Sequence, residues 1–166
     1  MSTLTNANVL EAIQARFANT TSEEQYGLLT VTVAKDDYYE LIKWLKEDSS
    51  LNFFFLTDLT AVHYTERKGE ELCIVVHLHN LMRNFRLRVK TYIPLEHPHI
   101  KSLTSVYPGA NWMERETFDN FGVHFNGHPN LKRILNVEDM NYHPLLKQYP
   151  LEDQTREDKN NKYFGR

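Results

Sequence analysis

The sequence predicts an α+β fold: a single domain in which helices pack on one face of an antiparallel sheet, continued by an extended C-terminal arm. Three observations carry that expectation. Helical spacing of apolar residues and strand-like runs alternate along the first 50 residues. The middle third is rich in β-branched and aromatic residues with period-two alternation, broken by polar turns. Beyond Leu135 both periodicities stop, and a polar stretch with Pro144 and Pro150 takes over.

Taken in order, residues 6–18 place Val9, Leu10, Ile13 and Phe17 at helical spacing, and the polar residues 19–25 then read as a loop. Leu29, Val31 and Val33 alternate as in a strand. Asp36 or Asp37 offers an N-cap for a second helix lined by Tyr38, Leu41, Ile42 and Leu45. Residues 53–56 and 59–64 form one long or bent strand, a turn containing Gly69 comes next, and residues 72–79 return as its hairpin partner. In residues 85–90, Phe85, Leu87 and Val89 face a core while Arg86, Arg88 and Lys90 face outward, giving the meander one basic face. Pro94 ends this strand, and Ile100, Leu103 and Tyr107 mark a short helix before Pro108-Gly109. The expected division is a domain over residues 1–135 and an arm over 136–166. The arm's spaced aromatics, Tyr142, Tyr149, Tyr163 and Phe164, suit anchors that order on a partner.

Composition narrows the function. With 166 residues and 41% apolar content, one ordinary core is available. No apolar run approaches the roughly 18–20 residues of a spanning helix. The first residues lack the basic and apolar regions of a secretory signal, so the chain is expected to stay in the cytoplasm and to reach a membrane only through a partner. A net charge of −3 makes nucleic acid an unlikely general partner. Cys73, the one cysteine, allows neither an internal disulfide nor a self-contained iron–sulfur cluster.

The most unusual segment runs from Trp112 to Leu135. Asn111 and Glu114 have the spacing of a capping box, Glu116 adds negative charge to the first turn, and Arg115 and Asp119 are i,i+4 neighbours able to pair. Phe118 and Phe121 share a face, Gly122 suits a left-handed C-cap, Asn126-Gly127 turns the chain, and Pro129 stiffens the next stretch. The pattern Glu-Arg-Glu-x-x-Asp-x-Phe-Gly, then Phe-x-Gly-His-Pro and Leu-Lys-Arg-Ile-Leu, resembles the signature of the C-subunit family of bacterial NADH:quinone oxidoreductase, respiratory complex I. Asn130, Asn141 and Leu146-Lys147-Gln148 depart from the family's usual residues. The resemblance is to a separate C subunit rather than to a fusion with the D subunit.

The resemblance implies a cofactor-free peripheral-arm subunit beside the D and B subunits, on the cytoplasmic side of the cell inner membrane. The complex would carry electrons from NADH through FMN and Fe-S clusters to quinone, coupled to proton translocation. It also implies that Glu114, Arg115, Glu116, Asp119, Gly122, Gly127, His128, Pro129 and Arg133 serve interface and architecture, with no catalytic, cofactor-binding or metal residue in this chain. The alternative is the equivalent subunit of a membrane-bound hydrogenase or ferredoxin-fed complex, since related subunits carry variants of the signature.

Stand-alone chemistry finds less support in the residues. Glu114 and Glu116, two apart on a helix, point about 200° from each other and do not converge as an acid/base pair. Eight histidines raise a metal-dependent hydrolase using Asp58 or Glu114, yet no His-Glu-x-x-His helix is present. His77-x-His79 on a strand suits ordinary polarity, and His128 suits a bond to backbone or partner. The basic face of Arg86, Arg88 and Lys90 reads as a solvated surface or a docking patch for an acidic neighbour. Phe85 points away from it, against single-stranded nucleic acid.

Overall fold

Helix α1, Asn6–Arg16, opens with Thr5 as N-cap in a reciprocal capping box with Asn8, and it buries Val9 and Ile13. The computed structural model describes residues 3–150 of the chain. A hairpin comes next, β1 (Thr21–Gln25) and β2 (Leu28–Thr32), joined at Tyr26 and Gly27. Both turn residues have positive φ, +54° and +73°, the combination that lets a two-residue turn match strand twist. The expected loop over 19–25 is therefore corrected: its polar residues form an edge strand exposed along its whole length, so no hydrophobic alternation marks it.

Helix α2, Lys35–Glu47, buries Tyr38, Leu41, Ile42 and Leu45 as expected. Its N-cap is Ala34, without a side-chain bond, and Asp36 and Asp37 lie inside the first turn, where the helix dipole favours them. The meander is β3 (Phe55–His63), β4 (Leu72–Asn80) and β5 (Phe85–Ile93), and β3 carries a register shift between Leu56 and Asp58. The sheet order is β1-β2-β5-β4-β3, and β2 pairs with β5 in parallel while the other pairs are antiparallel. One parallel pair is thus added to the expected antiparallel sheet, because the chain crosses through α2 to the far edge before the meander returns.

Leu29, Val31, Leu56, Leu59, Val76, Leu78, Leu87 and Val89 line one sheet face and share a core with α1, α2 and the third helix, α3 (Ala110–Phe121). The α+β class with helices on one face holds. The expected helix around Ile100 is corrected: Ile100 sits in β6 (His99–Lys101), which pairs in parallel with β7 (His124–Asn126), and turns come after it. Three apolar residues at helical spacing were satisfied by a strand and a turn that both face the core. Residues 127–150 contain neither helix nor strand. Tyr163 and Phe164 lie outside the described residues.

Candidate functional site

Helix α3 collects most of the residues singled out by sequence, but their bonds differ from those expected. It begins two residues earlier than a cap at Asn111 requires: Gly109 is the N-cap, without a side-chain bond. Glu114 is fully buried, and its carboxylate accepts from the Ser102 hydroxyl at 2.7 Å and the Leu103 N–H at 2.6 Å. The capping box is thus corrected to a tertiary tie from α3 to the chain after β6. Burial pushes the Glu114 carboxyl up to about 7, against the opposing pull of those two donors. Glu116 is exposed, so the two glutamates do lie on different sides of the helix.

The expected Arg115–Asp119 pair is also corrected. Arg115 donates from Nε to the Lys132 carbonyl at 3.1 Å and from Nη2 to the Arg133 carbonyl at 3.0 Å, while its guanidinium lies 5.2 Å from the Trp112 ring centre. Asp119, fully buried, pairs with Arg133 at 2.6 Å. Its Oδ2 accepts the backbone N–H groups of Ile134, Leu135 and Asn136 at 3.0, 2.8 and 2.9 Å, and its Oδ1 also accepts from Asn136 Nδ2 at 3.0 Å. Burial alone would raise this carboxyl. The N–H groups of Asn136, Leu135 and Ile134, with the Arg133 guanidinium, outweigh it and hold Asp119 well below the usual carboxylate range. A long-range partner set with five well-placed donors wins over a one-turn neighbour on the same helix.

Arg133 extends the same clamp toward the C-terminus, donating from Nη2 to the carbonyls of Met140 and Tyr142 at 2.7 and 2.8 Å. His143 Nδ1 donates to the Asp119 carbonyl at 2.9 Å, and Leu145 N–H donates to the Asn120 carbonyl at 3.1 Å. Farther along, Lys147 N–H reaches His63 Nδ1 at the end of β3, and Leu146 enters the core. Gly122 caps α3 with φ +78°, as expected, and also admits His143: a Cβ there would stand 2.7 Å from the imidazole. At the other end, Gly127 turns with φ +87°. His128 accepts the Asn130 N–H at Nδ1, which places its ring proton on Nε2, where it donates to the Asn111 carbonyl at 3.1 Å. Pro129, exposed, lies between these two bonds.

Of the nine signature residues, Arg115, Asp119, Gly122, His128 and Arg133 therefore converge on the packing of residues 128–146 against α3. Glu114 acts at the opposite side of the helix, and Glu116 touches neither set. Sequence reading missed Asn136, His143 and His63; their partners lie 17, 24 and 84 positions away, beyond any local pattern. The clamp leaves apolar side chains on the surface, with Leu135 67% and Val137 63% exposed and Trp112, Tyr142, Leu145 and Tyr149 also open to solvent. Backbone bonds immobilise this segment without burying those side chains.

Asp58 and Glu114, the carboxylates of the hydrolase alternative, do not meet. Asp58 faces His77 on the helix-free face of the sheet, and Glu114 is buried on the other side. Among the described residues no group of three or more His, Cys, Asp or Glu side chains is placed to hold a metal ion. No helix among them is long and apolar enough to cross a membrane.

Comparison with known proteins places this geometry in a lineage. The family described as respiratory-chain NADH dehydrogenase, 30 Kd subunit, matches residues 31–155. The NADH-quinone oxidoreductase C subunit of Citrifermentans bemidjiense is 40% identical over 154 residues, covering 92% of this chain and 94% of that protein. The C subunit of Geobacter metallireducens is 42% identical, covering 81% and 82%. The chain spans about half, 50%, of the length of the C subunit of a Nocardioides species, to which it is 41% identical over 75% of its own length. Among solved structures, a trypsin-resistant fragment of Nqo5 superposes with a TM-score of 0.67 at 29% identity, covering 75% of this chain and 98% of that one. A chain of an archaeal membrane-bound sulfane sulfur reductase shares the fold, with a TM-score of 0.76 at 24% identity. By signature, fold and relatives alike, the chain belongs to the 30 kDa subunit family of the respiratory-chain NADH dehydrogenases.

Proposed function

We propose that the chain is a peripheral, non-catalytic subunit of an NADH:quinone oxidoreductase, positioned beside the D- and B-type subunits at the cytoplasmic face of the cell inner membrane. The assembly passes electrons from NADH through FMN and Fe-S clusters to quinone and couples this to proton translocation. This subunit binds none of those carriers and helps to hold the quinone-reducing module in place. Residues 136–166 serve as its partner-docking arm, whose first part, as far as Lys147, is packed on the domain formed by residues 1–135 through Asn136, His143 and Leu146.

The observation that carries this reading is the use made of the signature. Its strongest charges, Asp119 and Arg133, are consumed in fixing backbone, and the segment they fix presents Leu135 and Val137 outward. A buried acceptor saturated by five donors has no capacity left for proton transfer to a substrate. Immobilised apolar side chains at a surface lower the entropy cost of association, which suits docking on a protein.

The test is affinity purification of the tagged chain from membranes solubilised in mild detergent, with identification of the co-purifying subunits and an NADH:quinone activity assay. Flavin- and cluster-bearing subunits with quinone reductase activity support the reading. Partners bearing a nickel site would move the chain to a hydrogenase-type assembly. A lone protein that retains metal would replace both with the hydrolase.

A further inference from the structure

The helix-free face of the sheet carries a row of polar side chains that the clamp does not use. Strand register aligns Glu23, Thr30, Arg88, His77 and Asp58 across all five strands, and Arg86 aligns with His79 and Phe55 beside them. Arg88 donates from Nε to His77 Nε2 at 2.8 Å, so the ring proton stands on Nδ1, 3.5 Å from Asp58. His77 is therefore a neutral bridge, which leaves Arg88 without a carboxylate among the described residues. Lys90 is already neutralised by Glu23 at 2.7 Å. Arg86 is exposed and has no bonding partner among the described residues. Among the described residues Arg86 is thus unpaired on this face, and Arg88 reaches a carboxylate only through the His77 ring.

Both border an open groove of about 560 Å³, whose far wall is the β1–β2 turn with the fully exposed Tyr26. Beneath Arg86 in the register, His79 is nearly buried and its Nε2 has no hydrogen-bond partner among the described residues; the Thr30 hydroxyl in the row of Arg88 is likewise buried and unpaired. Buried polar atoms of this kind are normally satisfied. Residues two apart on a strand lie roughly 6.6–6.8 Å apart on the same face, so Arg86 and Arg88 repeat at the spacing of alternate side chains in any extended chain.

We infer that this face docks an extended acidic segment of a neighbouring polypeptide, running along β5 with carboxylates at alternate positions opposite Arg86 and Arg88. Each carboxylate meets one guanidinium, a pairing stronger than a neutral hydrogen bond and geometrically selective. The groove beside Tyr26 receives the end of the segment. This surface is separate from the clamp, and its occupancy does not depend on which assembly the clamp joins.

The experiment is a fluorescence-anisotropy titration of the full chain with a labelled peptide of alternating glutamate and threonine. The comparisons are a peptide with glutamate at every third position and one with lysine in place of glutamate. The alternating acidic peptide is expected to bind about tenfold more tightly than the every-third peptide, the equivalent of one lost charge-assisted bond. Binding should weaken with added salt. Arg86→Gln, at an exposed side chain that no described group needs, should reduce affinity about tenfold by the same reasoning. Arg86→Gln/Arg88→Gln should abolish binding, and Lys68→Gln in the β3–β4 turn should leave it unchanged. Absence of binding, equal binding by Arg86→Gln, or indifference to glutamate spacing overturns the proposal. Tighter binding of an oligothymidylate, or displacement by equimolar inorganic phosphate, overturns it in favour of a nucleic-acid or small-anion site.

Discussion

Replacing Asp119 with asparagine keeps the side-chain shape and removes one charge and one acceptor. In the native chain Oδ2 serves three backbone N–H groups, while Oδ1 serves Arg133 and the Asn136 amide. Asparagine has a single acceptor oxygen, so either orientation turns its NH2 toward donors. The better one keeps the oxygen on Ile134, Leu135 and Asn136 and confronts Arg133, whose side chain is 10% exposed, with another donor. Removing one partner of a buried ion pair costs about 3–5 kcal/mol. Because the donors lie in one segment, the loss falls first on local opening of residues 133–143. Amide hydrogen exchange at Ile134, Leu135 and Asn136 should accelerate by roughly two to four orders of magnitude at neutral pH, since about 1.36 kcal/mol is a factor of ten. The sign with pH follows from the depressed carboxyl. The native contribution is complete above the unfolded value near 4 and is lost as pH falls toward the folded one. The two proteins should therefore converge in acid. Exchange rates within threefold of each other at neutral pH would refute the clamp.

Glu114 carries the opposite dependence. With its carboxyl raised to about 7 from 4.5, the native chain is most stable below the unfolded value and loses about 3 kcal/mol as pH rises through 7. Glu114→Gln, able to accept from Leu103 and to donate to Ser102, should flatten urea-denaturation stability over this range and exceed the native protein above pH 7; an unchanged slope would contradict it. Gly122→Ala should cost roughly 1–2 kcal/mol for the left-handed backbone alone, and more because the added methyl meets His143. In a His143→Ala background the extra part should vanish, and an equal cost in both backgrounds would show that the close approach does not matter.

The helical and meander elements were legible because each buries a regular stripe: Tyr38, Leu41, Ile42 and Leu45 on α2, Leu87 and Val89 on β5. Strand β1 was not legible, since all five of its residues are exposed and only the Tyr26-Gly27 turn chemistry hinted at a hairpin. The site was half legible. The Glu-Arg-Glu segment was found, and Gly122 was assigned its conformation correctly. Helical proximity, however, suggested capping for Glu114 and a partner for Asp119 that tertiary donors overrode. A carboxylate's nearest neighbour in sequence offers one exposed bond worth a few tenths of a kcal/mol. The converging backbone of residues 134–136 offers three part-buried ones to a fully buried carboxylate.

If the clamped segment docks the chain in an assembly and performs no chemistry there, assembly and turnover must separate on mutation. Leu135→Asp changes an exposed side chain while leaving every bond to Asp119 intact. Carried on the tagged chain, it should lower the amount of assembled complex recovered from membranes while NADH:quinone turnover per assembled complex stays at the native value. Full assembly with turnover lost would contradict the docking role.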